Sequence, residues 1–528
     1  MLAAERESIR GYGDRASTVF TRCRLKAGSS MATSHGSWPF RPSILAFCFA
    51  PVLGIAVTGA FVTAASDVLL AQALLSVSTF LSLRLLRHRQ LLDPIQAIPL
   101  YFHWYFAVGP CVHGLYALAT GTASHSVYSR FTGQTLGDSY YLIHGSTALF
   151  IVAGGQVLYS AGSCAVFRFW PIEWYAKFLA PSGVQYLPRT FITWWIIAGG
   201  TLAITAGLSL VGVRAFDTIN YFGGRITNNP LEAAAYSLTC LGELATVGAI
   251  GYFFIRRQAG TRWTRFAAAA LAAALTLQGV FSGSKGPIVQ YAYYAVVIYI
   301  TWHGRVPWRW VLGLLAIYLM LIEPFVESAR LAAETIQAHT TAAGRDVFLE
   351  ALKDIPLKQK ALSDLNVESP FRFIYYCASE TADRATMTGG PFGGQTLIDG
   401  LSSLVPRFLY PAKSDANMGN VFARAIGIAP QTDRQTNAGI TVPFEFVGNF
   451  GFAAGLASFY AIGVIWTSLM LYILGKGRMA LHPLSPYFVG VALHIEASAG
   501  QFIGAYKDLG IAFGALWLLW AIRGKRGL

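Results

Sequence analysis

Apolar runs about 20 residues long recur along the chain, separated by short polar connections. A helix needs roughly that many residues to cross the hydrocarbon core of a bilayer. The pattern predicts spans near 42–65, 68–86, 95–120, 139–163, 190–213, 231–255, 265–281, 286–303, 310–326, 443–474, 484–502 and 505–523. The expected fold class is an all-α polytopic membrane protein with about 12 transmembrane helices. Four regions follow from the same pattern. Residues 1–40 form a polar, Arg-rich tail, read as disordered, with Met31 as an alternative start. Residues 41–326 hold the first nine spans, 327–442 form one large loop, and 443–528 hold the last three spans and a basic C-terminus.

Two polar stretches stand out. Between 164 and 189 the chain is too broken by proline to span, and Trp170, Trp174, Tyr175 and Lys177 suit a helix lying in the headgroup layer. In the large loop, helical spacing runs over 346–361 and 371–385, the glycine-rich 389–394 breaks it, and a short helix is expected over 395–404. A loop of this length with Phe371, Phe373, Tyr375, Tyr376, Phe408 and Tyr410 reads as functional rather than disordered.

Charge orients the spans. Arg84, Arg87 and Arg89, then Arg168, Lys177 and Arg189, then Arg256, Arg257, Arg262 and Arg265, and later Lys476 and Arg478, fall on one side. The opposite short loops hold little beyond Arg130, Arg214, Arg225, Lys285 and Lys507. The positive-inside bias places both termini in the cytoplasm and the large loop outside. It also accounts for the net charge of +14 without nucleic acid. The 12% of charged residues is about half of what soluble domains carry, and the mean hydropathy of +0.47 agrees. Six cysteines with no CxxC spacing predict neither a disulfide framework nor a zinc site.

The candidate chemistry gathers at the outer side. Arg407 and Lys413 sit in VPRFLYPAK, where Pro406 and Pro411 stiffen the backbone. A guanidinium fork and an ammonium point charge suit a pyrophosphate, although a plain surface loop explains them equally well. Arg372, beside aromatic residues, is a further anion contact; Glu380 and Arg384, one turn apart, read first as a solvated ion pair. Lys285 lies in the tight outer turn FSGSKGPIV, against the charge bias. Glu445 stands where the chain re-enters the bilayer in PFEFVGNFG, together with Asn449; a carboxylate there can face a cavity and act as a general base or simply cap the span. His494 and Glu496 fall inside an apolar span and are weighed against ordinary interhelical polar contacts. No Walker motif, HExxH or cytoplasmic metal-holding carboxylate pair is present, so neither ATP, a metal nor another cofactor is called for.

The order of these motifs resembles the Wzy-type polymerases of O-antigen and exopolysaccharide repeat units. The resemblance rests on SGSKG (282–286), the large external loop, VPRFLYPAK (405–413) and PFEFVGNFG (443–451), and covers about residues 280–510. Lys285 stands where that family usually has arginine. The resemblance implies a GT-C-like polymerase/ligase architecture in a bacterial inner membrane. It implies a metal-independent glycosyltransferase that joins undecaprenyl-pyrophosphate-linked oligosaccharides at the periplasmic face. The bilayer, a chain-length regulator and a flippase are the partners it suggests, and nucleic acid is not among them. In such a reading Arg407, Lys413, Arg372 and Lys285 hold the pyrophosphate and Glu445 is the base, with His494 in reserve. Transfer to lipid A core, as in O-antigen ligases, and transport of lipid-linked sugars are the competing expectations.

Overall fold

The computed structural model describes residues 42–62, 66–86, 94–112, 115, 126–128, 135–137, 146–169, 195–204, 207, 241–242, 244–248, 270, 273, 292–297, 299–300, 307–322, 378, 381–382, 392–402, 405, 418–425, 440–474, 488 and 510. The described residues are helical except for one small hairpin and a few turns. Helix α1 spans Pro42–Val62, α2 Ser66–Leu85 and α3 Pro94–His103, which passes directly into a π-turn at Trp104–Val108. Strands β1 (Ser126–Tyr128) and β2 (Thr135–Gly137) pair antiparallel, with Ser126 opposite Gly137. Helix α4 is Ser146–Phe169, and α5 is Trp308–Ile317, followed by a π-turn at Tyr318–Ile322. Helices α6 (Gln395–Ser402), α7 (Met418–Ala425), α8 (Val442–Phe450) and α9 (Phe452–Leu474) complete the order.

Three of these helices, α2, α4 and α9, are long and apolar enough to cross a membrane, α9 over Phe452–Tyr472. The chain is thus a helical membrane protein. Three details of the sequence expectation change. The hairpin, between the spans expected over 95–120 and 139–163, interrupts an otherwise all-helical order among the described residues. Residues 164–169, expected in a headgroup-layer helix, belong to α4, which carries Arg168 in its last turn, where a cation meets the negative end of the helix dipole. The span expected over 443–474 is two helices. Gly451 adopts φ 81° between them, a conformation open to glycine but costly for other residues.

The core joins α2, α3, α4, α8 and α9. The α4–α9 pair has the most extensive contact among the described elements. Small residues permit it. A Cβ placed on Gly162 would strike the Tyr460 carbonyl, and one on Gly463 would strike the Tyr159 carbonyl. In lipid there is little hydrophobic gain from pairing apolar helices, so this close backbone approach supplies the packing energy instead. Thr467 Oγ1 donates to Ser163 Oγ at 2.9 Å across the same seam.

Proline accounts for two of the polar contacts in the core. Pro51 lies inside α1 and has no N–H for the carbonyl of Phe47, four residues back. Hydrocarbon offers that carbonyl nothing. His103 Nε2 lies 2.9 Å from Phe47 O and donates to it, because the carbonyl can only accept. Pro99 inside α3 frees Ile95 O in the same way, and the Tyr159 hydroxyl donates to it at 2.7 Å. Gln156 Nε2 donates to Pro99 O at 3.2 Å, at the step from the α-helix to the π-turn. Its Oε1 lies 2.7 Å from Thr79 Oγ1, which is also 3.2 Å from His103 Nδ1. At the ends, Gln96 Nε2 donates to Leu86 O at 2.7 Å, and Trp466 Nε1 donates to Pro94 O at 2.8 Å.

Two outcomes follow from this packing. His103→Ala leaves the Phe47 carbonyl without its donor and costs about 1–3 kcal/mol, the penalty of a buried unsatisfied group. In a Pro51→Ala background, where residue 51 regains its N–H, the same change costs less; equal losses in both backgrounds, by equilibrium unfolding in detergent, refute the carbonyl-rescue account. Gly463→Val forces α4 and α9 apart and lowers the midpoint of thermal unfolding by several degrees, whereas Gly313→Val, with open space around its Cβ, leaves it in place.

Candidate functional site

Of the residues singled out by sequence, Glu445 and Asn449 lie in the described structure, and they lie together on α8. Arg407, Lys413, Arg372, Lys285, His494, Glu496 and Arg384 lie outside the described residues. The site is therefore built upward from α8.

Helix α8 begins after Thr441, with Pro443 in its first turn, a position where the missing proline N–H costs no helical hydrogen bond. Glu445 follows in the same turn, where the positive end of the helix dipole favours an acid. Its backbone N–H donates to Thr441 O at 3.1 Å. Thr441 has φ 66°, a rare value for a β-branched residue, and its side chain does not cap the helix. Such strain persists only where the surroundings impose it, and Thr441 and Glu445 are both completely buried.

Asn449 holds the helix to the segment that precedes and forms α6. It lies one turn after Glu445, on the same face. Its Oδ1 accepts from the Gly394 N–H at 2.9 Å. Its Nδ2 donates to the Glu445 carbonyl and to Thr396 Oγ1, both at 2.7 Å. Phe392 N–H donates to Gly448 O at 3.2 Å. The turn Phe392–Gly394 that precedes α6 is thus clipped to α8 by main-chain and side-chain bonds. Gly393 and Gly394 take φ 55° and 88°, which explains why glycines stand at these two positions.

Aromatic packing closes the assembly. Phe392 meets Phe422 of α7 with ring centroids 4.3 Å apart. Gly448 makes room for both rings: a Cβ there would lie 3.0 Å from Phe392 and 3.2 Å from Phe422. Phe444 stacks on Phe106, 5.7 Å away and 10° from parallel. Through that stack α8 rests on the π-turn after α3. The helix carrying Glu445 is therefore held by the π-turn after α3 on one side and by the 392–396 stretch on the other.

The glycine run 389–394, expected to break the helix, ends at 392–394 in a turn clipped to α8, where Asn449 Oδ1 accepts from the Gly394 N–H; residues 389–391 lie outside the described residues. The short helix expected after it is present as α6. Arg424, in the last turn of α7 and two residues past Phe422, is a half-buried cation that motif reading passed over. His103 and Gln156 were passed over as well; the prolines inside the first and third spans, at 51 and 99, were the available signal.

Asn449→Ala removes three hydrogen bonds and releases the 392–394 turn, with a stability loss of about 1–3 kcal/mol for the groups left unpaired. Limited proteolysis of the purified protein checks this: cleavage near Gly393 accelerates in the variant, and an unchanged rate shows that the clip does not hold the turn.

Comparison with known proteins yields no matching family model, no matching curated protein and no matching solved structure.

Proposed function

We propose that this chain is a metal-independent glycosyltransferase of the bacterial inner membrane. It polymerises undecaprenyl-pyrophosphate-linked oligosaccharide repeat units into O-antigen or exopolysaccharide at the periplasmic face. The observation that supports this reading is the clip between PFEFVGNFG and the glycine turn of the large loop. It brings the acid of one motif under the external segment that carries the cationic motif in the sequence. The reading includes about twelve spans, cytoplasmic termini and a periplasmic large loop, as the hydropathy and charge patterns predict, in the GT-C-like arrangement that the resemblance implies.

In the proposed reaction, the acceptor sugar hydroxyl attacks the anomeric carbon of the donor glycan. The bond from that carbon to the pyrophosphate oxygen breaks, and undecaprenyl pyrophosphate departs with the electron pair. Arg407, Lys413 and Arg372 hold the pyrophosphate and stabilise the charge that develops on it, with Lys285 adding a point charge. Glu445 takes the acceptor proton, and His494 is the second candidate for that role. Because Glu445 is completely buried, the substrate reaches it only when the segments over α8 rearrange, and this exclusion of water then favours transfer over hydrolysis.

The test is reconstitution. Purified protein is given undecaprenyl-pyrophosphate-linked repeat units from the producing cell, without nucleotide sugar, and products are resolved on a gel. Wild type yields a ladder of regular spacing. Glu445→Gln lowers its rate by roughly 10²–10⁴, the span of general-base effects. Arg407→Ala lowers it by roughly 10²–10³, as loss of one charge-stabilising contact does. Full activity of Glu445→Gln removes the base assignment. Absence of a ladder with folded protein and intact substrate removes the polymerase reading, and added lipid A core then tests the ligase alternative.

A further inference from the structure

Helix α6 meets three environments around its circumference. Thr396 and Gly400 are buried, and Leu397 packs against the core. Gln395 and Asp399, one turn apart, form a polar side, where Gln395 Nε2 donates to Asp399 Oδ1 at 3.2 Å. The third side is apolar and open. Ile398 and Leu401, three residues apart on one face, are 61% and 56% exposed. Val405, just past the helix end, is 38% exposed. Single exposed aliphatic residues are ordinary, but a contiguous group of them marks a contact surface.

We propose that α6 is a membrane-surface helix whose Ile398–Leu401 face lies in the acyl chains at the edge of the bilayer. Continuity with the membrane-crossing part of the fold selects lipid as the occupant. Gly394, immediately before α6, sits against Phe450: a Cβ there would lie 3.2 Å from that ring. Phe450 is 52% exposed, and Phe452, where the membrane-crossing stretch of α9 begins, is 44% exposed. Helix α6 thus starts at the aromatic pair by which the chain enters the membrane. Its eight residues, at 1.5 Å each, make it only about 12 Å long. The burial of Thr396, Leu397 and Gly400 seats it along that length instead of letting it project.

The chemistry of the helix agrees. Its sequence, QTLIDGLS, holds no basic residue, so apolar area and not attraction to lipid phosphate supplies the contact. The Gln395–Asp399 side beside the aliphatic face gives one surface to water and one to acyl chains, as a helix lying in the interface requires. Gly394 and Thr396, which bond to Asn449, are then held at the bilayer surface. Neither this placement nor its test depends on the proposed reaction.

The test uses the unmodified full chain in nanodiscs of phosphatidylcholine, part of which carries a photoactivated diazirine in its acyl chain. Labelled residues are located by mass spectrometry. Ile465 of α9, 63% exposed within the membrane-crossing stretch, is the reference for lipid contact. Ile398 and Leu401 are expected to label to an extent comparable with Ile465 and several-fold above Gln395. Background labelling of Ile398 and Leu401 beside a labelled Ile465 overturns the proposal. Hydroxyl radicals generated in the bulk water then tell what covers the face: oxidation of Leu401 means water, and protection means another segment of this chain or a second copy. Equal labelling of Ile398 and Gln395 also overturns it, because the helix then has no lipid-facing side.

Discussion

A backbone carbonyl freed inside a membrane helix has to find a donor within the protein, and much of this structure depends on that requirement. Pro51 and Pro99 each remove the N–H that the carbonyl four residues earlier needs. Water does so cheaply in a soluble protein, but hydrocarbon does not. The donors are His103 and Tyr159, and each comes from a different helix than the carbonyl it serves. Each repair therefore also joins two helices: α1 to α3, and α3 to α4. Gln156 adds α2 to the same network through Thr79 and α3 through Pro99 O. A cost incurred locally by proline becomes a specification of which helices are neighbours.

This scaffold sets the position of the candidate site. α4 holds α9 through close glycine contacts, α9 follows α8 across Gly451, and α8 rests on the π-turn through Phe106 and Phe444. The break at Gly451 is what lets the first nine residues of the re-entry form their own short helix. A continuous helix would carry Glu445 and Asn449 on the axis of α9. The separate α8 instead presents them to the Phe392–Gly394 turn and to Thr396. A buried carboxylate and a fully bonded asparagine in one short helix, with a strained threonine just before it, form a constrained assembly.

Asn449 shows how structure and the proposed activity meet. In the sequence it is one polar residue in an aromatic motif. In the fold it is the joint between α8 and the turn before α6, using its carbonyl oxygen and both amide hydrogens. Any movement of the 392–394 turn away from α8 has to keep or exchange those bonds. The same clip explains the two glycines with positive φ, which a reading for flexibility alone would misassign.

Much of the frame was legible in the chain. Apolar runs of membrane length marked α2, α4 and α9, because helix length is set by bilayer thickness alone. The glycine-to-helix transition before α6 was legible too, since local backbone preference decides it. Glu445 and Asn449 already stood together in the motif PFEFVGNFG. The ends of α4 and the division of the last long run into α8 and α9 were not legible, because hydropathy does not register a single positive φ at Gly451. Nor were the roles of His103, Gln156 and Tyr159, whose partners lie 56, 57 and 64 residues away in the chain. The sequence by itself determined that helices cross a membrane and that prolines inside them leave carbonyls in need. Only the tertiary structure decided which side chains meet those carbonyls and which turn meets Asn449, because a hydrogen bond between distant segments depends on how helices pack and not on what either segment prefers alone.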